Sequence, residues 1–209
     1  MSTEPHPRPA RPSPAAEPAS KDFTASGLAG FAGLGLVIAL PLLLSPSGHG
    51  MKPIVLAATA VLGSALVLLS AIDFETRRLP DSLTLPLMAM GLAAAVALDR
   101  EGQDWVVLGW RILSAGSGYL TLWGVAKAYL VLRGQPGLGL GDAKLMAAGG
   151  AWLGVEGLPT VLLVASVAAL LLIAGAALRG HEITAKTSLA FGPFLALGIW
   201  LVWLYGPIA

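Results

Sequence analysis

The chain has 209 residues, 56% of them hydrophobic and only 12% charged, against roughly 25% charged in an average soluble chain. With a mean hydropathy of +0.76, lipid is expected to be part of its solvent. The formal net charge of +1 gives no field that would gather nucleic acid, and the absence of cysteine excludes disulfides, thiol catalysis and cysteine-ligated metal sites.

Residues 1–22 are rich in proline and nearly empty of large apolar side chains. They are expected to be a disordered tail, because such a segment cannot bury enough surface to offset the entropy of ordering. It has no apolar core of the kind a secretory signal carries, so its removal is not expected. Residues 23–209 are expected to form one transmembrane domain. About 20 apolar residues cross the hydrocarbon core as a helix. Seven stretches reach or approach that length: Phe23–Leu44, Pro53–Ile72, Ser82–Leu98, Trp105–Leu132, Asp142–Val155, Leu158–Leu178 and Leu189–Tyr205. The fold class is therefore an all-α transmembrane bundle of about seven segments, six to eight being compatible with the pattern. The fifth stretch is too short to cross alone, and is expected to be tilted or sunk within the bundle. Gly27, Gly30, Gly33 and Gly35 in the first stretch, and Ala147, Ala148, Gly149 and Gly150 in the fifth, would let helix backbones approach closely in lipid.

Lys and Arg residues orient the bundle. With the N-terminus cytoplasmic, Arg8, Arg11, Lys21, Arg77, Arg78, Lys127, Arg133, Lys144, Arg179 and Lys186 lie inside or near that side. Lys52, Arg100 and Arg111 lie outside, a ratio of ten to three. Asp99, Glu101, Asp104 and Glu156 then also fall outside.

Four of the twelve acidic residues fall at the inner membrane boundary: Asp73, Glu75, Asp81 and Asp142. Ionisable groups at membrane depth are costly and call for a function. Pro80 forbids one continuous helix here, and Asp81 is placed to cap a helix starting near Ser82. Glu75 reads as solvated or paired with Arg78. Asp73 is harder to dismiss, since it follows the apolar run VLLSAI. Asp142 follows the alternating glycines Gly137, Gly139 and Gly141 and opens a helix, where an N-cap role is the plain alternative. If the second and fifth stretches are neighbours, Asp73 and Asp142 share one depth. Two close carboxylates in a low-dielectric site do not both ionise easily. One would stay protonated and the other charged, the state needed to activate a water and to protonate a leaving amine.

The segment AIDFETRRLPDSLTLPLM resembles the first catalytic motif of type IV prepilin peptidases, an Asp followed six residues on by Leu-Pro-Asp. GLGLGDAKLMAAGGAWLG resembles their second, GxGD followed by x-Lys. LAFGPFLALG is similar to the stretch in their last span, although Ala190 stands where many members have proline. The three occur in the family's order and cover roughly residues 53–205. The resemblance implies that Asp73 and Asp142 are the catalytic pair, that Gly139 and Gly141 are the motif glycines, and that Lys144 is the lysine after the motif. That lysine would either snorkel to the boundary or tune the acid pair. The implied substrates are prepilins or pseudopilins, with a basic leader in the cytoplasm and an apolar helix in the inner membrane, cut after a Gly. Glu75, Asp81 and the Pro80 break would help position the leader. Long members of the family also N-methylate their product and carry a cytoplasmic insert with paired CxxC motifs. Here only residues 45–52 separate the first two stretches and cysteine is absent, so methyltransferase activity is not expected.

No cofactor is implied, and the partners expected are the prepilin substrate and membrane lipid. A rhomboid-type serine protease needs a membrane His, but His6, His49 and His181 fall in the tail or loops; no HExxH supports a metalloprotease. The main alternative is an ion- or proton-coupled transporter using the same carboxylates. Its acids would be expected near the midplane rather than at the inner boundary. A catalytically dead assembly partner would be told apart only by its lack of activity.

Overall fold

The computed structural model describes residues 53–99, 102, 104–134, 139–179 and 190–208. Among them are six α-helices: α1 (Pro53–Thr76), α2 (Asp81–Leu98), α3 (Asp104–Arg133), α4 (Leu140–Leu153), α5 (Gly157–Leu178) and α6 (Gly192–Tyr205). They match the second to seventh expected stretches within a few residues. The expected first stretch, Phe23–Leu44, the tail 1–22, residues 45–52 and the glycine Gly137 lie outside the described residues. So does the orientation reading that rests on Arg8, Arg11, Lys21, Lys52, Arg100 and Lys186.

Three of these helices, α1, α2 and α5, are long and apolar enough to cross a membrane. Much of their apolar surface faces outward: Leu163, Leu170 and Leu171 on α5 are each more than half exposed. Exposed leucines repeated along a helix need an apolar solvent, so this is a membrane protein. Helices α4 and α6 have 14 residues each, roughly 21 Å at 1.5 Å per residue, well short of a hydrocarbon core of roughly 30 Å.

The two short helices are the centre of the bundle. Ten of the 14 residues of α4 are buried, and it packs against α2, α3, α5 and α6. Helix α6 buries residues from Gly192 to Val202 and packs against α1, α4 and α5. The expectation that the fifth stretch is sunk within the bundle therefore holds.

Small residues set how closely these helices meet, since lipid removes most of the drive to bury apolar surface between them. Gly150 and Gly118 lie against the backbone of the facing helix, α4 on α3 and the reverse. A Cβ on Gly118 would come within 2.7 Å of the Met146 carbonyl oxygen. Gly198 of α6 meets Val161 of α5 in the same way, and Gly63 of α1 makes room for the Trp200 ring. Gly91 of α2 accepts the indole of Trp152, whose Nε1–H donates to the Leu87 carbonyl at 2.8 Å. Trp203 donates to Thr59 Oγ1 at 3.0 Å, tying α6 to α1, and stacks edge-on against Trp152. These contacts make α6 antiparallel to α1 and α5, and α4 antiparallel to α3 but parallel to α2. The C-termini of α1, α3 and α5 and the N-termini of α2, α4 and α6 thus share one end of the bundle.

Candidate active site

At that shared end the chain is punctuated by residues that stop and restart helices. Helix α1 does not end with the apolar run at Ile72; it continues to Thr76, so Asp73 is a helical residue, 5% exposed. Arg77 then turns with φ of 51°, a left-handed conformation uncommon outside glycine. Its amide closes the last helical turn on the Asp73 carbonyl at 2.9 Å. The turn sends Leu79 back into the core, 8% exposed, and Pro80, at φ −72° and ψ 135°, is the cap residue of α2.

Asp81 is therefore the first residue of α2 and not its cap, and no side chain caps this helix. Its carboxylate instead takes the ammonium of Lys144 from α4. A full charge one helix away offers Asp81 a stronger partner than a backbone amide of its own first turn. Lys144 is two positions, about 200°, around α4 from Asp142, so it braces α2 against α4 on the side away from that acid. Glu75 is exposed, and no ion pair joins it to Arg78 among the described residues.

Asp142 is likewise inside its helix rather than capping it. Gly139 is the cap residue of α4, and the Asp142 amide donates to the Gly139 carbonyl at 3.2 Å. The Asp142 carboxylate turns back beside that cap, where a Cβ on Gly139 would lie 3.6 Å from Oδ2. Asp142 is 8% exposed. The second motif glycine, Gly141, lies under Leu79: a Cβ there would sit 3.0 Å from the Leu79 Cβ.

Leu79 also reaches Gly192, the first residue of α6. The Gly192 amide donates to Asp73 Oδ2 at 3.1 Å, and a Cβ on Gly192 would fall 2.6 Å from that oxygen. Glycine is required here by space. Pro193 follows within the first turn, where its missing N–H costs nothing. The first turn of α6 thus presents a backbone donor and the positive end of a helix dipole to the Asp73 carboxylate.

The structure brings Asp73 and Asp142 to one end of the bundle, both buried, close enough for the charge of Asp73 to act on Asp142. Gly139, Gly141, Leu79 and Gly192 wall the space around them. Lys144, Asp81 and Glu75 stand outside it. Gly192 and Leu79 were not singled out as site residues from the sequence. The Gly-Pro pair ahead of an apolar run marks a helix start, but nothing local says which side chain that start will face.

A model of the type IV leader peptidase family matches residues 60–174. The chain is 41% identical over 150 residues to a prepilin leader peptidase/N-methyltransferase of Aeromonas salmonicida, covering 71% of this chain and 49% of that protein. A protein of the same description from Burkholderia pseudomallei is 42% identical over 156 residues, covering 75% of this chain and 47% of its own length. One from Klebsiella pneumoniae is 45% identical over 124 residues, 59% of this chain and 52% of its own. The chain spans about half the length of these curated relatives. No solved structure matches it.

Proposed function

Because the chain belongs to the type IV leader peptidase family, we propose that it is an intramembrane aspartic endopeptidase that removes the basic leader of prepilins or pseudopilins. The observation that carries this reading is the pair of buried carboxylates, Asp73 and Asp142, brought to one end of the bundle. In the proposed mechanism one carboxylate takes a proton from a water as that water attacks the scissile carbonyl. The other, protonated, polarises the carbonyl and then gives its proton to the leaving amine. No covalent intermediate forms. Asp73 is the better base, because the Gly192 amide already supports negative charge on Oδ2.

The site faces the cytoplasm in this reading. Arg77, Arg78, Arg133, Lys144 and Arg179 gather at the end of the bundle that holds the two acids, while among the described residues Arg111 lies at the other end, with Asp99, Asp104 and Glu156. That charge asymmetry supports an inner-membrane protein with the acid-bearing end inside. In that orientation the carboxylates would lie where a cytoplasmic leader meets its apolar helix. N-methylation is left out of the proposal because the chain contains no cysteine to build the insert that the long members carry.

The test is cleavage of a co-expressed prepilin, read as a mobility shift. Asp73→Asn and Asp142→Asn are each expected to abolish it while the protein still inserts. Full cleavage by either variant would remove the acid pair from the mechanism. Mass spectrometry of the product should find an unmethylated N-terminus.

A further inference from the structure

Among the described residues, most helical hydroxyls bond backbone. Thr59, Thr76, Thr84, Ser114 and Thr121 each donate to the carbonyl four residues back, a bond that helical Ser and Thr commonly make. Ser70 departs from it. Its side chain is 1% exposed, and its Oγ is the buried side-chain polar atom left without a hydrogen bond among the described residues. Buried hydroxyls are nearly always bonded, and an orphan needs an explanation. Packing does not supply one, because alanine would fill almost the same space without the oxygen.

The position of Ser70 does. It is one turn before Asp73 on α1, a spacing that puts two side chains about 5–6 Å apart at Cβ. Around the helix it lies on the side of Thr59 and Gly63, which meet Trp203 and Trp200 of α6. Continuing along the antiparallel pair, the side chain of Ser70 faces the first turns of α6, the segment whose Gly192 amide holds Asp73 Oδ2. The other carboxylate oxygen, Oδ1, has no hydrogen bond from a described residue. An unused donor and this oxygen are thus one helical turn apart on α1, a spacing that a change of Ser70 rotamer can bridge.

We propose that Ser70 is a positioning residue, whose hydroxyl turns to Asp73 Oδ1 when substrate and the attacking water occupy the site. With Gly192 on one oxygen and Ser70 on the other, the carboxylate is held in a single orientation and in the charged form that a base needs. Asp142, on α4, is the ionisable side chain across the site, and the charge of Asp73 acts on it. It is left as the proton donor. Hydrolysis is otherwise unchanged: Ser70 forms no bond to substrate and transfers no proton.

This inference rests on Asp73 being the catalytic base, and its test separates the two. The full-length protein in lipid nanodiscs is given a synthetic peptide with a basic leader, a glycine before the cut and an apolar helix. Ser70→Ala is expected to melt no lower than the parent protein, since it deletes an orphan oxygen. Its kcat should fall roughly tenfold to a hundredfold, the range of a hydrogen bond to a charged group, with KM unchanged. The acid limb of its kcat–pH profile should move to higher pH, because a carboxylate that loses a donor is protonated more readily. Ser70→Cys, a weaker donor of similar shape, should fall between. A Ser70→Ala protein with the parent kcat and an unmoved acid limb would overturn the role of Ser70. Asp73→Asn is run beside it: if that variant still cuts, the base itself has been misidentified, whatever Ser70 does.

Discussion

A carboxylate buried in a membrane bundle needs something to answer its charge, and here the answers come from backbone. Gly192 gives its amide to Asp73, and Asp142 lies against Gly139, where a Cβ would sit 3.6 Å from Oδ2. Both glycines head short central helices whose first N–H groups have no intrahelical acceptor. Space at Gly192 is as important as its amide. In Gly192→Ala the added methyl would fall 2.6 Å from the Asp73 oxygen, so the carboxylate or α6 must move. Overpacking of this kind costs about 1–3 kcal/mol, whereas a reacting group displaced by about 1 Å can lose roughly 100-fold in rate. The variant should therefore lose far more cleavage than stability, measured as peptide turnover against thermal melting. Comparable losses in both would show that Gly192 serves packing alone.

At the scale of the helices, the bundle keeps its contacts tight by placing glycine wherever an aromatic ring or a backbone must enter. Gly91 of α2 is the clearest case, because a Cβ there would lie 2.5 Å from the Trp152 ring. Gly91→Ala should lower stability by about 1–3 kcal/mol, seen as a lower melting temperature, with the acid pair itself untouched. The Lys144–Asp81 ion pair is expected to matter less. Its side chains are 33% and 56% exposed, and exposed pairs contribute about 0–1 kcal/mol. A double-mutant cycle of Lys144→Met and Asp81→Asn should show coupling within that range, and both single variants should still cut prepilin. Loss of cleavage in Asp81→Asn alone would return Asp81 to the role in leader binding that its sequence position suggested.

For the whole molecule, the six helices alternate so that most of the described Lys and Arg residues gather at the end that holds the two buried acids. Arg78 and Gly102 lie at opposite ends. The chain has no cysteine of its own, so single cysteines can be placed without background. A membrane-impermeant thiol reagent applied to intact cells should label Gly102→Cys, and label Arg78→Cys only after permeabilisation. The reverse pattern would put the acids on the outer face, away from a cytoplasmic leader.

Much of this was legible from residues alone. Run length of apolar residues is a local property, and it located α1 to α6 to within a few positions. Ionisable side chains are so costly in lipid that Asp73 and Asp142 stood out without any structure. Local capping chemistry misled at Asp81 and left the role of Lys144 open. A cap residue competes with every partner the fold can bring to it, and the winning partner is 63 residues away. The same limit hid Gly192, whose bond to Asp73 joins positions 119 apart, and Ser70, which looks like any other small residue in an apolar helix. Composition and periodicity thus determined the solvent, the helices and the candidate acids, because each depends on neighbours in the chain. Only the tertiary packing decided that the two acids share one end of the bundle, which backbone amide holds Asp73 and which hydroxyl is left over. Those outcomes depend on helices distant in sequence closing against one another through glycine.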